Sequence, residues 1–426
     1  MSLFPQKGSP VQNLELIIQD KIENDIVFET IHHIRVGYIY KKSHLTFLQI
    51  ANRAGSQIES NEEWGISHIL EHMFFKGSKK RPNSIEFLRS YNRIGASMNA
   101  YTDYDHTNYH ISMLNEVFEE GFDIIADMYI NPLFPESEFK KELNPILSEF
   151  RENEDDPVDY LYENCMKNFI SPFHSILGTE ESIKKTTIEK MFQFKNKYYG
   201  KNNTVITAVG GISPDLFFNK IKEYFKDLPL CIEVQYPSVK YKEGSITLHK
   251  KGISEGYLMI LFPALPTNHK DRIKQNFLNY ILGGMDSSLL FERVREELGL
   301  SCYEISSNIT RNQSFSVLEI FAGISPEEIP ILIKEIDKII DFLTNEKISH
   351  HQLLIAKNTL KTQICAMAET NKGISSLLLN TLLRNEYQDP IEVILREIDE
   401  ISPEDIREIA QTTFANKKFI GTLLPE

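Results

Sequence analysis

Along the chain, apolar positions recur with two periods. Residues 24–51 alternate apolar and polar positions around polar clusters, the pattern of short antiparallel strands. From Glu62 to Lys76 the period changes to that of a helix; Ser60 with Glu63 three later has the form of a capping box, and Gly77 is a stop. A second helix is predicted over 85–94 and paired strands over 97–112, with Met98, Ala100, Tyr109 and Ile111 among the inward positions. Helices follow over 115–130, 136–153 (with Pro145 inside, which should kink it), 157–168 and 181–199. Thr204–Val209 reads as a short strand and 214–226 as a helix.

At 228–245 two prolines and mixed polarity break the pattern, and residues 231–245 read as a linker. Beyond it the order recurs: strands over 246–262, a long helix over 270–298, strands over 302–322, then five helices between 326 and 413 and a final strand-like FIGTLLP. The predicted fold is α+β, two similar α/β-roll halves in which helices pack an antiparallel sheet, related by duplication. The halves are placed at 1–230 and 246–426.

Composition narrows the function classes. Apolar residues make 41 % of the 426 and charged residues 25 %, ordinary for a globular chain, which excludes fibrous and disordered readings. The net charge of -14 and the lack of a basic patch argue against nucleic-acid binding. Cys165, Cys231, Cys302 and Cys365 form no CxxC pair, so neither a cysteine zinc site nor a redox dithiol is predicted, and a reducing compartment is. The start, MSLFPQKGSP, lacks the basic-then-apolar form of a signal peptide, and no run of 18 apolar residues spans a membrane. The expected location is cytoplasmic.

One segment carries chemistry: His68-Ile69-Leu70-Glu71-His72, an HxxEH motif on the first predicted helix. Residues four apart share a helix face, so both imidazoles can reach one ion, and Glu71 borders that face. With 12 histidines in 426 residues, a chance match is expected in about one chain in thirty, so the motif alone is only suggestive. A catalytic zinc needs a third protein ligand, which the motif does not provide.

The sequence resembles the pitrilysin/insulinase family of zinc metallopeptidases, in particular the β-subunit of mitochondrial processing peptidase and its bacterial two-domain relatives. In that family two glutamates follow the motif on a later helix, after 69 residues and then after six more. Here 69 residues separate His72 from Glu142, and six separate Glu142 from Glu149. The resemblance implies one zinc per chain held by His68, His72 and Glu149, with Glu142 supporting the site and Glu71 as general base in peptide hydrolysis. Phe75-Lys76-Gly77 continues the motif. Gly95 to Thr102 resembles the edge strand on which family substrates add as an extra strand, which places Asn99 and Ala100, with Phe75, among the substrate-binding residues. In the second half, Leu282-Gly283-Gly284 and Val294 to Leu300 resemble the second-domain signature.

One departure stands out. The family's second half often carries an arginine and a tyrosine for the substrate backbone. The arginine falls on Arg295, but the tyrosine position holds Cys302, with Tyr303 one later. Either the strand slips locally or a partner chain supplies the pair. The resemblance also implies a peptide substrate and a dimer, with itself or with a related chain, that closes a chamber. The alternatives are the zinc-bearing subunit of a heterodimeric processing peptidase in leader or bacteriocin maturation of the subtilosin type, or a non-catalytic assembly subunit. His106 and His110, four apart in a predicted strand, read as structural, and the acidic run 152–156 as a solvated loop.

Overall fold

A computed structural model describes residues 26–426. The expectations for the chain before Ile26, including the absence of a signal peptide, lie outside the described residues. The first half runs β1 (Ile26–Ile31), β2 (Ile34–Tyr40), β3 (Leu45–Asn52), α1 (Ile66–Phe74), α2 (Ser84–Arg93), β4 (Ser97–Thr102), β5 (Thr107–Leu114), α3 (Phe118–Ile130), α4 (Glu136–Asp155), α5 (Pro157–Phe169), β6 (Ile170–Ser171), α6 (Glu180–Lys185), α7 (Ile188–Tyr198), β7 (Thr204–Gly210) and α8 (Pro214–Tyr224). After a stretch without helix or strand, the second half runs β8 (Lys240–Tyr241), β9 (Gly244–Lys250), β10 (Gly256–Pro263), α9 (Arg272–Leu282), the short α10 (Leu289–Phe291), β11 (Cys302–Arg311), β12 (Ser316–Ile324), α11 (Ile329–Asn345), α12 (His350–Ala368), α13 (Asn371–Leu383), α14 (Pro390–Glu400), α15 (Pro403–Phe414) and β13 (Phe419–Pro425).

The sheets carry the duplication. The first has the order β1-β2-β7-β3-β5-β4 and the second β11-β12-β10-β13-β9. Read from β4 and from β11, the two orders coincide strand for strand, with β1 the only addition among the described residues. The parallel pairs also correspond, β2 with β7 and β9 with β13; the remaining pairs within the two sheets are antiparallel. The sequence of the halves is too diverged to display this, but the topology keeps it.

The halves also exchange a helix. Strand β7, TVITAVG, is buried throughout, as a strand covered on both faces must be. One face meets the first half's own core, built on Ile69, Leu70, Phe74, Tyr109, Phe122 and Ile206. The other meets α13 of the second half, where Leu379, Leu382 and Leu383 pack on Ala51 and Val205. Reciprocally, Leu161, Cys165, Met166 and Phe169 of α5 pack on Met259, Leu261, Phe321 and Phe419 of the second sheet. Glycine permits both approaches: a Cβ on Gly37 would stand 3.0 Å from Leu382 Cδ1, and one on Gly421 would collide with Cys165 Sγ.

Several predicted elements divide. The helix expected over 181–199 breaks at Thr186-Thr187, where the Thr187 side chain caps α7. The helix expected over 270–298 ends at Leu282, and the chain after Gly283-Gly284 re-forms as α10 followed by a wide π turn over Glu292–Glu297. The acidic run is not a loop: Glu152–Asp155 close α4, and Asp156 caps α5 through Val158 N and Asp159 N. No helix among the described residues is long and apolar enough to cross a membrane.

Candidate metal centre

Helix α1 is short, so its ends decide where its side chains point. It begins at Ile66, later than the sequence predicts, because the Ser60–Glu63 pair forms only half a capping box. Glu63 Oε2 accepts from Ser60 N at 3.1 Å and Ser60 Oγ at 2.9 Å, but one turn passes before the helix starts. Gly65 then adopts φ +84, where a side chain is strained, and a Cβ there would lie 2.8 Å from Leu177 O. The free N–H groups are met by Glu59, 3 % exposed, whose carboxyl oxygens accept from Gly65 N at 2.6 Å and Ser67 N at 2.8 Å. Burial raises the Glu59 pKa to about 8, against the lowering effect of these bonds. Ile66, Ile69, Leu70 and Met73 anchor the helix in the core, which turns His68, Glu71 and His72 towards α4 and β4.

Helix α4 supplies the other side. Glu142 and Glu149 are seven residues, two turns, apart and share a face. His68 Nε2 lies 3.5 Å from Glu149 Oε1, His72 Nε2 lies 3.4 Å from Glu149 Oε2, and the two Nε2 atoms are 3.3 Å apart. Zinc–ligand bonds of about 2.0–2.1 Å at tetrahedral angles give ligand-to-ligand edges of about 3.3–3.4 Å. The separations, which run to different oxygens of the Glu149 carboxylate, are of this size, and the two imidazoles and the carboxylate together could hold one ion. His72 Nδ1 lies 2.9 Å from Glu142 Oε1, and Lys76 Nζ donates to Glu142 Oε2 at 2.5 Å. Glu142 is thus no surface carboxylate: it fixes the ring of His72 with Nε2 directed at the group. His68 Nδ1 is buried with no partner among the described residues.

The side chains hold one another's charge. Glu149 is held well below the usual carboxylate range by the two imidazoles. For His72, burial acts downward, and the bonds to Glu142 and Glu149 outweigh it and raise its pKa to about 9. Burial acts upward on Glu142, and its bonds to His72 and Lys76 bring it below the ordinary value. The Glu71 side chain makes one hydrogen bond among the described residues, its Oε2 accepting from Thr102 Oγ1 at 2.8 Å.

The remaining site residues fall into two places. Strand β4 is the free edge of the first sheet. On it Asn99 is exposed, and its Oδ1 accepts from Ala100 N at 2.9 Å, which marks that N–H as facing the free edge. Phe75 ends α1 with its ring edge-on to Phe87. Arg295 and Tyr303 line a cavity of about 330 Å³ in the second half with Gly283, Gly284 and Phe291. None of the His68, His72 or Glu149 side chains lines it. The pairing of β11 with β12 shifts register between Cys302 and Glu304, with Cys302 buried and Tyr303 turned outward, 75 % exposed. Arg295 packs its guanidinium over the Phe291 ring at 4.9 Å.

A second cluster, Asp103, Asp105 and His106, is not predicted from the sequence, where His106 reads as structural. Its polar atoms already have hydrogen-bond partners, within the cluster and outside it. His106 Nδ1 is 2.7 Å from Asp105 Oδ1, and Asp105 Oδ2 accepts from Gln313 N of the second half at 2.9 Å. His110 packs against Phe47, the ring centroids 5.2 Å apart and the planes tilted by 32°.

Comparison with known proteins points the same way. Residues 39–177 match the family described as insulinase (peptidase family M16), and residues 185–360 match the one described as the peptidase M16 inactive domain. The chain is 29 % identical over 378 residues to a Bacillus subtilis protein named uncharacterized zinc protease YmxG, covering 87 % of this chain and 91 % of that one. It is 25 % identical over 379 residues to the mitochondrial-processing peptidase subunit beta of Pongo abelii, covering 85 % and 77 %. Among solved structures, a protease from Helicobacter pylori superposes with a TM-score of 0.87 at 22 % identity, over 94 % of this chain and 99 % of that one.

Proposed function

The chain belongs to the insulinase family of peptidases, family M16, and on that premise we propose that it is a zinc-dependent endopeptidase acting on peptides and unfolded segments. The observation that carries the reading is the cluster of His68 Nε2, His72 Nε2 and the Glu149 carboxylate, in which each imidazole lies 3.4–3.5 Å from a different carboxylate oxygen and the two Nε2 atoms are 3.3 Å apart, a donor set that suits one zinc ion. When bound, zinc supplies a Lewis acid that polarises the scissile carbonyl and makes a water more acidic. Glu142 keeps the Nδ1 proton of His72 in place, so that Nε2 offers its lone pair. Glu71 takes the proton of the attacking water and delivers it to the leaving amine. The peptide adds along the edge strand β4 and takes the place of Asn99 Oδ1 as acceptor of the Ala100 N–H. Such backbone pairing accepts many sequences. In this reading residues 1–230 are the zinc-binding half, 246–426 the substrate-binding half and 231–245 the link between them, and Arg295 and Tyr303 hold substrate carbonyls. Two copies close a chamber that admits only flexible chains. The four unpaired cysteines suit a reducing, cytoplasmic setting.

A second reading has this chain as the zinc-bearing subunit of a heterodimeric processing peptidase for leader or bacteriocin peptides. Two observations favour it: the Arg295–Tyr303 cavity includes no zinc-group residue, and one relative is named as a subunit. One sample tests both. The chain, purified without chelator, is measured for zinc per chain, for mass by light scattering, and for cleavage of a quenched arginine-rich peptide. One zinc, a dimer mass and chelator-sensitive cleavage support the homodimer. One zinc without cleavage supports the subunit reading. Absence of zinc after reconstitution overturns both.

A further inference from the structure

We infer that Thr102 is a positioning residue that couples the substrate-binding edge of β4 to the general base Glu71, an inference that rests on the reading of Glu71 just given. Thr102 is the last residue of β4, on the face that also carries Met98 and Ala100. Those two pack on the core beside α1, and Thr102 puts a hydroxyl where they put methyl and thioether groups. That hydroxyl donates to Glu71 Oε2 at 2.8 Å, and it is the only hydrogen bond to the Glu71 side chain among the described residues.

The support behind the hydroxyl is stiff. Threonine is β-branched, so its χ1 is restricted in a strand. Thr102 pairs with Thr107 of β5, whose Oγ1 donates to Ala54 O at 2.9 Å. The turn between them closes on the bond from Asp103 N to His106 O at 2.8 Å. Asp105 in that turn accepts from Gln313 N, so the turn is also tied to the second half. Without Thr102 the Glu71 carboxylate has no fixed partner and samples several rotamers. With it, one oxygen is held and the other is left for the substrate side. A peptide that pairs with the backbone two residues earlier is then registered against the base through one short, rigid strand.

The test compares Thr102→Val, which keeps the branched shape and deletes the donor, with Thr102→Ser, which keeps the donor. Each is assayed alongside Glu71→Gln with the quenched arginine-rich peptide, after zinc content has been measured. The expected result for Thr102→Val is unchanged zinc and KM with kcat lowered about 10- to 100-fold, the size of a lost hydrogen bond to a charged group. Thr102→Ser should return kcat to within about threefold of the parent. Crystal structures of the variants provide a readout independent of turnover: one Glu71 rotamer in the parent and in Thr102→Ser, and several in Thr102→Val. Parental kcat or a single parental rotamer in Thr102→Val overturns the inference, as does a Thr102→Ser as impaired as the valine variant. If Glu71→Gln itself hydrolyses at the parental rate, the assignment of the base fails instead, and the two failures are separable.

Discussion

Substituting Glu142 by Gln isolates the support behind the zinc group. Both Glu142 oxygens are used, one by His72 Nδ1 at 2.9 Å and the other by Lys76 Nζ at 2.5 Å, and the side chain is 14 % exposed. Gln keeps the volume and one acceptor. If its oxygen stays with His72, its NH2 faces the Lys76 ammonium, two donors at bonding distance with no acceptor between them. If it flips to satisfy Lys76, the NH2 faces the Nδ1 proton of His72 and the ring loses its orientation. Either way the site has one wrong pairing, and partners of this kind are worth roughly 10- to 100-fold in metal affinity, about 1.4–2.7 kcal/mol. Competition against a chromophoric chelator at pH 7.5 measures the zinc Kd directly, without substrate. Lys76→Met is the control: it removes the cation but leaves the His72 bond, and should move Kd by less than about threefold if ring orientation, and not local charge, is the mechanism. A Glu142→Gln protein whose zinc Kd stays within about twofold of the parent would falsify the supporting role.

Other outcomes follow from single residues. Glu59 holds its proton up to about pH 8 when folded, against 4.5 for an ordinary glutamate. Between those values the folded state therefore binds the extra proton, and stability falls as pH rises. Glu59→Gln should lower stability at acid pH but flatten that slope, by at most about 1.4 kcal/mol per pH unit, read from urea melts at pH 5 and pH 8. Gly65→Ala combines a φ of +84 with a Cβ 2.8 Å from Leu177 O, and should cost about 1–3 kcal/mol in the same melts. Ala100→Pro deletes a donor that faces the free edge, so the fold and zinc content should survive while KM for the quenched peptide rises at least about tenfold.

What the sequence disclosed depends on the range of the interaction that fixes each feature. The grouping of His68, His72 and Glu149 was legible because two histidines four apart on a helix share a face and Glu142 and Glu149 share another two turns apart. The pairing of those faces came from the family spacing, since nothing local relates α1 to α4. Most elements were legible from period alone. The start of α1 was misread because the local Ser60–Glu63 pair imitates a cap, while the actual partner of the helix N–H groups is Glu59 across a loop. The break after Leu282 was missed because the apolar period continues past Gly283-Gly284. The register shift at Tyr303 left only an ambiguity, since it has no signature except the mismatch at Cys302. The exchange of α5 and α13 is invisible in sequence: a periodic apolar stripe states that a face is covered, not which sheet covers it. Thr102 was missed for the same reason, as its hydroxyl acquires meaning only when β4 is laid against α1.

The central claim is that two glutamates from different helices do different work at one zinc: Glu149 of α4 holds it and Glu71 of α1 uses it. The direct test is zinc content and peptide turnover measured on the same preparations of Glu71→Gln and Glu149→Gln. The account predicts one zinc per chain and no cleavage for Glu71→Gln, and no retained zinc for Glu149→Gln. Zinc retained by Glu149→Gln at the parental affinity, or hydrolysis by Glu71→Gln at the parental rate, would contradict it.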